Sequence, residues 1–521
     1  MTAEPGGFAR ARLAPLARWL EPVHIDLAFV AVLGALQTLA FIHTAAWPAQ
    51  AVVVALLAWR ASVAPPRRAF ALGLVFGTAW LCAGTWWMYV SMHRYGGLAA
   101  PLAALAVLGL SVFLSLYLAA AMALFARWRA AAAWRAGLLF AGVWLLAELA
   151  RGVIFTGFPW LASGYAYIDS PLAGFAPWLG VYGIGAVAAG LAAVFGCTEW
   201  RRPRAWAMPA AALVTVVALG AGLGRVDFTQ PSGRLRVTLL QGNVSQSEKF
   251  SARFVPEALA NFAGQLGAAR GELVVAPETA IPLLPADLDP AFWKGLLARF
   301  RLPGRHALLG LPLGDSQAGY TNSAAGISAA SARMPGGFYR YDKHHLVPFG
   351  EFMPTGFHWF TRLMNIPLGD FNRGPLSAPS FQVRGERVAP NICYEDLFGE
   401  ELAARFADGT TAPTVLANMS NIGWFGETVA VAQHLQISRM RTLELQRPMI
   451  RATNTGTTAV IDWRGVVTAA LAPFTRGMLE ATVEGRRGLT PFAWWASRLG
   501  LWPLFVAALA LVLASSSRQR L

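Results

Sequence analysis

Three residues of this chain carry side chains suited to covalent acyl chemistry, and each ends a short β-rich run. Glu278 closes "LVVAPE", Lys343 follows "GFYRYD" and Cys393 closes "APNIC". A thiol must lose its proton to become a nucleophile. A carboxylate in a partly buried site can take that proton and return it to a leaving group. A lysine ammonium favours the thiolate and stabilises charge developing on a carbonyl oxygen. Glu, Lys and Cys together make a covalent acyl-transfer site. Each also has a plainer reading: a core thiol, a solvated turn, a surface lysine. Spacing alone does not decide between them. Cys393 adds a difficulty of its own, because "NICYEDLFGE" sets it beside Glu395, Asp396, Glu400 and, just beyond, Glu401. Acids discourage a thiolate, so Cys393 is either buried filler or is activated by groups elsewhere in the chain.

The elements that must position these residues follow from the surrounding pattern. Between 225 and 492, β-rich runs recur at 236–243, 272–279, 306–314, 337–345, 388–395, 414–421, 449–456 and 458–465. Several are continuously apolar, as strands covered on both faces are. Helical patterns at 256–271 and 428–447 lie among them. Strands alternating with helices predict an α/β sheet with layers on its faces. Sites in such sheets form where strands end and loops begin, so three strand-end residues far apart in sequence can converge. One aromatic, apolar stretch, "PTGFHWFTRLMNIPLG" (354–369), interrupts the pattern. It is either a loop packed on its own domain or one that dips into lipid or covers an apolar substrate.

The rest of the chain is too apolar for an ordinary soluble protein. Of 521 residues, 55% are hydrophobic and only 14% charged. Apolar runs lie at about 25–45, 49–63, 69–91, 98–126, 133–150, 174–197 and 205–224, with one more at about 497–515. The run at 49–63 is short for a span. The first is not a cleavable signal, since further spans follow it. The reading is eight spans. Basic residues mark one side: Arg10, Arg12 and Arg18 at the N-terminus, then Arg60, Arg67 and Arg68, Arg127, Arg129 and Arg135, Arg201, Arg202 and Arg204, and Arg518 and Arg520 in the tail. The other side's short loops and the lead into the last span hold Arg94, Arg151 and Arg498. Lys/Arg-rich loops face the cytoplasm. Both termini are therefore expected inside and the segment 225–492 outside. This accounts for the net charge of +15, because that segment holds 26 basic against 22 acidic residues. With no concentrated basic patch in it, nucleic acid is not an expected partner. Cys82 and Cys197 fall in spans, which leaves Cys393 without a disulfide partner in the external segment. His344 and His345 have no ligand-like spacing with other metal-binding residues and are read as structural, so no metal is expected.

The blocks "PET", "YDKHHLVPFGEFMP" and "NICYED", in that order, resemble the nitrilase superfamily. With "QGNVSQSEKF", "NIGWFGET", "QHLQISRMRTLELQRPMIRATNTGTTAVID" and a final span added, the chain resembles the apolipoprotein N-acyltransferase family along essentially its whole length. The resemblance implies an αββα sandwich inserted before the last of eight transmembrane helices. Its expected divisions are a membrane domain at 1–224, a periplasmic catalytic domain at 225–492, and an eighth helix with a cytoplasmic tail at 493–521. It makes Cys393 the nucleophile, Glu278 the general base and Lys343 the third member of the triad. Glu351 matches a second supporting glutamate, and Tyr394 and Glu395 match residues important beside the nucleophile. Phe250 stands where the family often has Trp, so a lipid contact is implied but a Trp-specific role is not. Trp424 and Gly426 are expected to shape a loop near the site. Asp396, Glu400 and Glu401 are read as helix-start or surface acids, and Lys343 as the group favouring the thiolate.

The implied reaction is transfer of a fatty acyl chain from a membrane phospholipid to the α-amino group of a diacylglyceryl-modified N-terminal cysteine on an apolipoprotein. It proceeds through a thioester on Cys393, with Lys343 and the Tyr394 backbone N–H at the oxyanion. No cofactor is implied. The setting is the bacterial inner membrane and its lipids, with the chain a monomer. Two competing readings remain: a membrane-anchored amidase of the same triad acting on a soluble substrate, and a non-enzymatic scaffold with a degenerate domain.

Overall fold

The structure, a computed structural model, describes residues 20–251, 253–354, 356 and 370–516. The stretch 354–369 falls almost wholly outside the described residues, as do the basic residues of both termini. The chain divides into two compact units. One comprises residues up to Trp86, Ala104–Val226 and Leu501 onward; the other comprises Trp87–Ala103 and Asp227–Gly500.

The first unit carries, among the described residues, seven helices long and apolar enough to cross a bilayer, one of which begins in the second unit: Val23–Ile42, Thr44–Val63, Pro66–Thr85, Ala100–Trp128, Ala133–Thr156, Pro171–Gly196 and Pro203–Leu223. The short run at 49–63 reaches 20 residues because a leading turn from Thr44 joins it. The expected eighth span is interrupted. Gly500 takes a positive φ of 55° and separates helix Pro491–Leu499 from helix Trp502–Ser515, so an eighth span exists only if the two are counted together. Charges buried within this unit are paired, as low-dielectric surroundings require. The Asp26 carboxylate accepts from Arg60 Nε at 2.8 Å and Nη2 at 2.9 Å, and from Arg68 Nε at 2.8 Å.

The second unit is built on twelve described strands: β1 (Thr229–Gln241), β2 (Leu273–Val275), β3 (His306–Asp315), β4 (Gly319–Ile327), β5 (Tyr339–Asp342), β6 (Phe381–Val383), β7 (Glu386–Ile392), β8 (Val415–Ser420), β9 (Met449–Thr453), β10 (Ala459–Ile461), β11 (Val467–Ala470) and β12 (Gly477–Gly488). They form two sheets, ordered β12-β1-β2-β3-β4-β5 and β11-β10-β9-β8-β7-β6. The central pairs β1/β2, β2/β3, β7/β8 and β8/β9 are parallel and the outer pairs antiparallel. Side chains alternate across a strand, and here both sets are apolar. Leu273, Val275 and Leu308 meet Val388, Ile392, Val415, Met419 and Ile450 between the sheets. Val274, Ala307 and Leu309 point the other way, onto Phe262, Leu266, Leu296 and Phe300 of helices Val255–Ala268 and Pro290–Phe300. On the far side Ala389, Leu416 and Met449 pack on Leu402, Phe406, Leu445 and Phe492. The result is the αββα sandwich, with a dry core between the sheets and another under each helical layer.

Candidate active site

β2, β5 and β7 each stop short of a functional side chain, and their ends bring the three together. Lys343 Nζ lies 3.5 Å from Glu278 Oε1 and 2.9 Å from the Glu351 carboxylate. Asn322, on β4, donates from Nδ2 to both acids, at 2.7 Å to Glu278 Oε1 and 2.7 Å to Glu351 Oε1. The remaining oxygens are also held: Glu278 Oε2 by the Asn421 N–H at 2.8 Å, and Glu351 Oε2 by the Val347 N–H at 2.8 Å. Burial alone would pull the Lys343 ammonium down. Glu351 first, then Glu278 and Cys393, outweigh it and hold Lys343 above the ordinary lysine range.

Cys393 follows β7 directly and takes a positive φ of 52°, which an L-residue adopts only against a steric cost of roughly 1–2 kcal/mol. This sharp exit carries the chain from the strand into the turn Cys393–Leu397. The thiol is half-buried. Burial and then the Glu278 charge push it up to about 12, against the pull of Lys343 and a hydrogen bond with Ser420. Lys343 pulls the thiol toward its ionised form, but burial and the Glu278 charge outweigh it. Cys393 therefore rests as a thiol that ionises only when its proton has somewhere to go.

The neighbouring acids are anchors. Glu395 does not share a strand face with Cys393, since β7 ends at Ile392. Its Oε2 accepts from the Ile392 N–H at 2.6 Å and the Tyr341 hydroxyl at 2.8 Å. Its Oε1 accepts from the His344 N–H at 2.7 Å and the His345 N–H at 3.3 Å. One carboxylate thus ties the Lys343 loop to the Cys393 strand. Asp396, read as a helix-start or surface acid, lies in the first turn of Cys393–Leu397 but is fully buried, bonded to Ser438 and 3.7 Å from Arg451. Glu400 and Glu401 sit in the first turn of helix Gly399–Ala403, where acids favour the helix dipole. Tyr394 is buried, its ring 5.6 Å from that of His345, which in turn stacks on Phe398 at 3.5 Å. His345 Nδ1 lies 2.9 Å from Glu401. Among the described residues no group of three or more His, Cys, Asp or Glu side chains is placed to hold a metal ion.

Phe250, Trp424 and Gly426 come together at the site's edge. Phe250 stacks on Trp424 at 6.4 Å, and Tyr95 meets Trp424 edge-on at 6.0 Å. Phe425 lies 4.2 Å from Trp87, whose Nε1 donates to Gln433 at 3.1 Å. Gly426, with φ of 62°, ends this turn where a Cβ would be strained.

Four residues escaped the sequence reading. Asn322 lies in "GYTNSAAGI", a strand with no apolar run to advertise it. Lys249 sits within "QSEKF", where polar neighbours suggest a surface position, yet it is 4% exposed and donates from Nζ to the Glu278 carbonyl at 2.9 Å. His434 Nε2 lies 3.2 Å from the Cys393 carbonyl oxygen, and Arg451 Nη2 lies 2.9 Å from His434 Nδ1. Both belong to segments whose helical or β pattern was visible but whose inward polar groups were not.

Two family models match the chain: the apolipoprotein N-acyltransferase N-terminal domain over residues 33–194, and carbon-nitrogen hydrolase over residues 236–491. An apolipoprotein N-acyltransferase of Verminephrobacter eiseniae is 53% identical over 480 residues, covering 87% of this chain and 89% of that protein. One of Ralstonia nicotianae is 45% identical, covering 99% and 97%. One of Bordetella bronchiseptica is 41% identical, covering 96% and 97%. Similarity at this level runs through both units, and the chain belongs to the apolipoprotein N-acyltransferase family.

Proposed function

We propose that this multi-pass membrane protein transfers a fatty acyl chain from a phospholipid to the α-amino group of the diacylglyceryl-modified N-terminal cysteine of apolipoproteins. The observation that carries the reading is the convergence of Glu278, Lys343 and the partly exposed Cys393 thiol in a unit joined to apolar helices. A soluble substrate would need no such helices, whereas both lipids reside in the bilayer.

In the proposed reaction Glu278 takes the Cys393 proton as sulfur attacks the ester carbonyl. Lys343 and the Tyr394 backbone N–H stabilise the oxyanion. Glu278 then protonates the departing glycerol oxygen, and the lysophospholipid leaves a thioester behind. The acceptor's α-amine has a pKa of roughly 7.7–8.0, so a useful fraction is neutral at pH 7. It attacks the thioester, Glu278 takes its proton, and the thiol is regenerated. Glu351 holds Lys343 in place, and Glu395 with Tyr394 holds the nucleophile's turn. Phe250, Trp424 and Gly426 form an aromatic edge suited to an acyl chain.

In this reading residues 1–224 are the membrane domain, 225–492 the periplasmic catalytic domain and 493–521 the returning helix and tail. The arginine clusters support an inner-membrane orientation with both termini in the cytoplasm. The test is to supply purified protein with phospholipid and a diacylated lipopeptide. One lysophospholipid should appear for each N-acylated peptide. Release of ammonia or free acid from soluble amides, without lysophospholipid, would instead identify an amidase.

A further inference from the structure

The charges around Cys393 are unevenly partnered. Lys343 is claimed by two carboxylates, at 2.9 Å and 3.5 Å. Arg451, behind the thiol, is balanced by Asp396 at 3.7 Å. Lys249 is different. It is buried, its hydrogen bond goes to the neutral Glu278 carbonyl, and among the described residues it forms no ion pair. It shares a cavity wall with Glu278, Thr279, Asn454 and the exposed Arg476. Its charge acts on both Glu278 and Cys393, and burial lowers it to about 8 despite them.

With the Arg451–Asp396 pair and Glu395, which is capped by backbone N–H donors, set aside, the groups at the triad sum to neutral. Two carboxylates, Glu278 and Glu351, face two ammoniums, Lys343 and Lys249, with Cys393 as the thiol. When the proton passes from Cys393 to Glu278, the thiolate replaces one carboxylate and the site stays neutral. Without Lys249 the site already carries one excess negative charge, and loss of the thiol proton to solvent adds a second in a low-dielectric pocket, which is costly.

We infer that Lys249 is a positioning residue of the acyl-transfer reaction: it fixes the Glu278 backbone and supplies the second positive charge that keeps the site neutral while Cys393 ionises. The inference rests on the acyltransferase reading for its biological meaning. Its test reads the thiol itself and needs no lipid substrate.

The experiment compares wild type, Lys249→Gln and Lys249→Arg by the rate of Cys393 alkylation with iodoacetamide from pH 6 to 10, located by peptide mass. Gln keeps a donor for the Glu278 carbonyl and loses the charge; Arg keeps the charge. The Lys249→Gln alkylation rate should fall about tenfold at pH 7, where the wild-type lysine is charged, and converge on wild type as pH rises past about 8 and that charge is lost. Lys249→Arg should stay within about threefold of wild type at about pH 7. A Lys249→Gln profile superimposed on wild type overturns the inference, as does an equal loss in both variants, which would mark a merely structural role. If the alkylation loss appears but no lysophospholipid is ever released by wild type, the charge role stands and the acyltransferase reading fails.

Discussion

Lys343 Nζ lies closer to Glu351, at 2.9 Å, than to Glu278, at 3.5 Å. Glu351 is thus the nearer anchor of the lysine, and in the proposed reaction Glu278 can carry a proton without releasing that lysine. Both acids share the Asn322 amide at 2.7 Å.

Glu351→Gln should keep a hydrogen bond to Lys343 while removing the largest influence that raises it. Burial then pulls the ammonium down unopposed by that charge. The alkaline limb of the pH–rate profile should move to lower pH by about one unit or more, with kcat lower by about 10–100-fold near neutrality. Steady-state rates across pH 6–10 measure both. An unmoved alkaline limb would mean that Lys343 does not depend on Glu351.

Glu395 should matter for stability more than any one of its partners. Tyr341→Phe removes a single neutral hydroxyl donor and should cost about 1 kcal/mol. Glu395→Gln puts an NH2 group against backbone N–H donors on one side. It should cost roughly 2–4 kcal/mol and loosen both the Cys393 turn and the Lys343 loop. Denaturation midpoints of the two variants in the same detergent should fall in that order.

His434 is the structural hold on the nucleophile's own backbone. Arginine has only donors, so His434 Nδ1 accepts from Arg451 and Nε2–H donates to the Cys393 carbonyl. Burial and the nearby Arg451 charge keep the ring neutral, well below its ordinary pKa. His434→Ala should lower kcat by about 10²-fold, the scale of a misplaced reacting group. The KM for phospholipid should change little. His434→Gln, which retains a donor toward that carbonyl, should recover a substantial part of the loss. Equal damage in both variants would remove the positioning role.

The folded unit's pH dependence has a specific contributor in Glu400. Burial first, then the Glu401 charge, lifts its carboxyl to about 7. Unfolded, it titrates near roughly 4.3. Between those values the folded state holds a proton that the unfolded state has released, so this group's contribution falls as pH rises from about 4 to about 7. His345 works in the opposite sense, since burial lowers it to about 3 and its unfolded form charges below about 6.5. Comparing Glu400→Gln with wild type isolates the first effect. The variant should have the higher thermal midpoint at pH 8 and the same midpoint near pH 4. A gap of equal size at both pH values would contradict this account.

What was legible in the sequence follows from which signals survive without contacts. β2, β5 and β7 are short runs whose composition marks them as strands, so the positions of Glu278, Lys343 and Cys393 at strand ends could be read directly. β4 and β12 could not: "GYTNSAAGI" is made largely of small and polar residues, and "GMLEATVEGRRG" carries four charges. The first buries its small residues under neighbouring strands, and the second is an edge strand paired along β1. The burial of Asp396 and of Lys249 is hidden for the same reason. A charged residue reads as surface until its buried partner is known, and Arg451 lies 55 positions beyond Asp396 in the sequence. The break at Gly500 was equally hidden, since an apolar run at about 497–515 looks continuous by hydropathy alone.

The most direct test of the central claim is the mass of the Cys393 peptide after incubating the purified protein with phospholipid and no acceptor. The account predicts an increase of one fatty acyl group on that peptide. The adduct should be lost on addition of a diacylated lipopeptide and absent from Cys393→Ser. An unmodified Cys393 in a preparation that still acylates the lipopeptide would contradict the covalent mechanism.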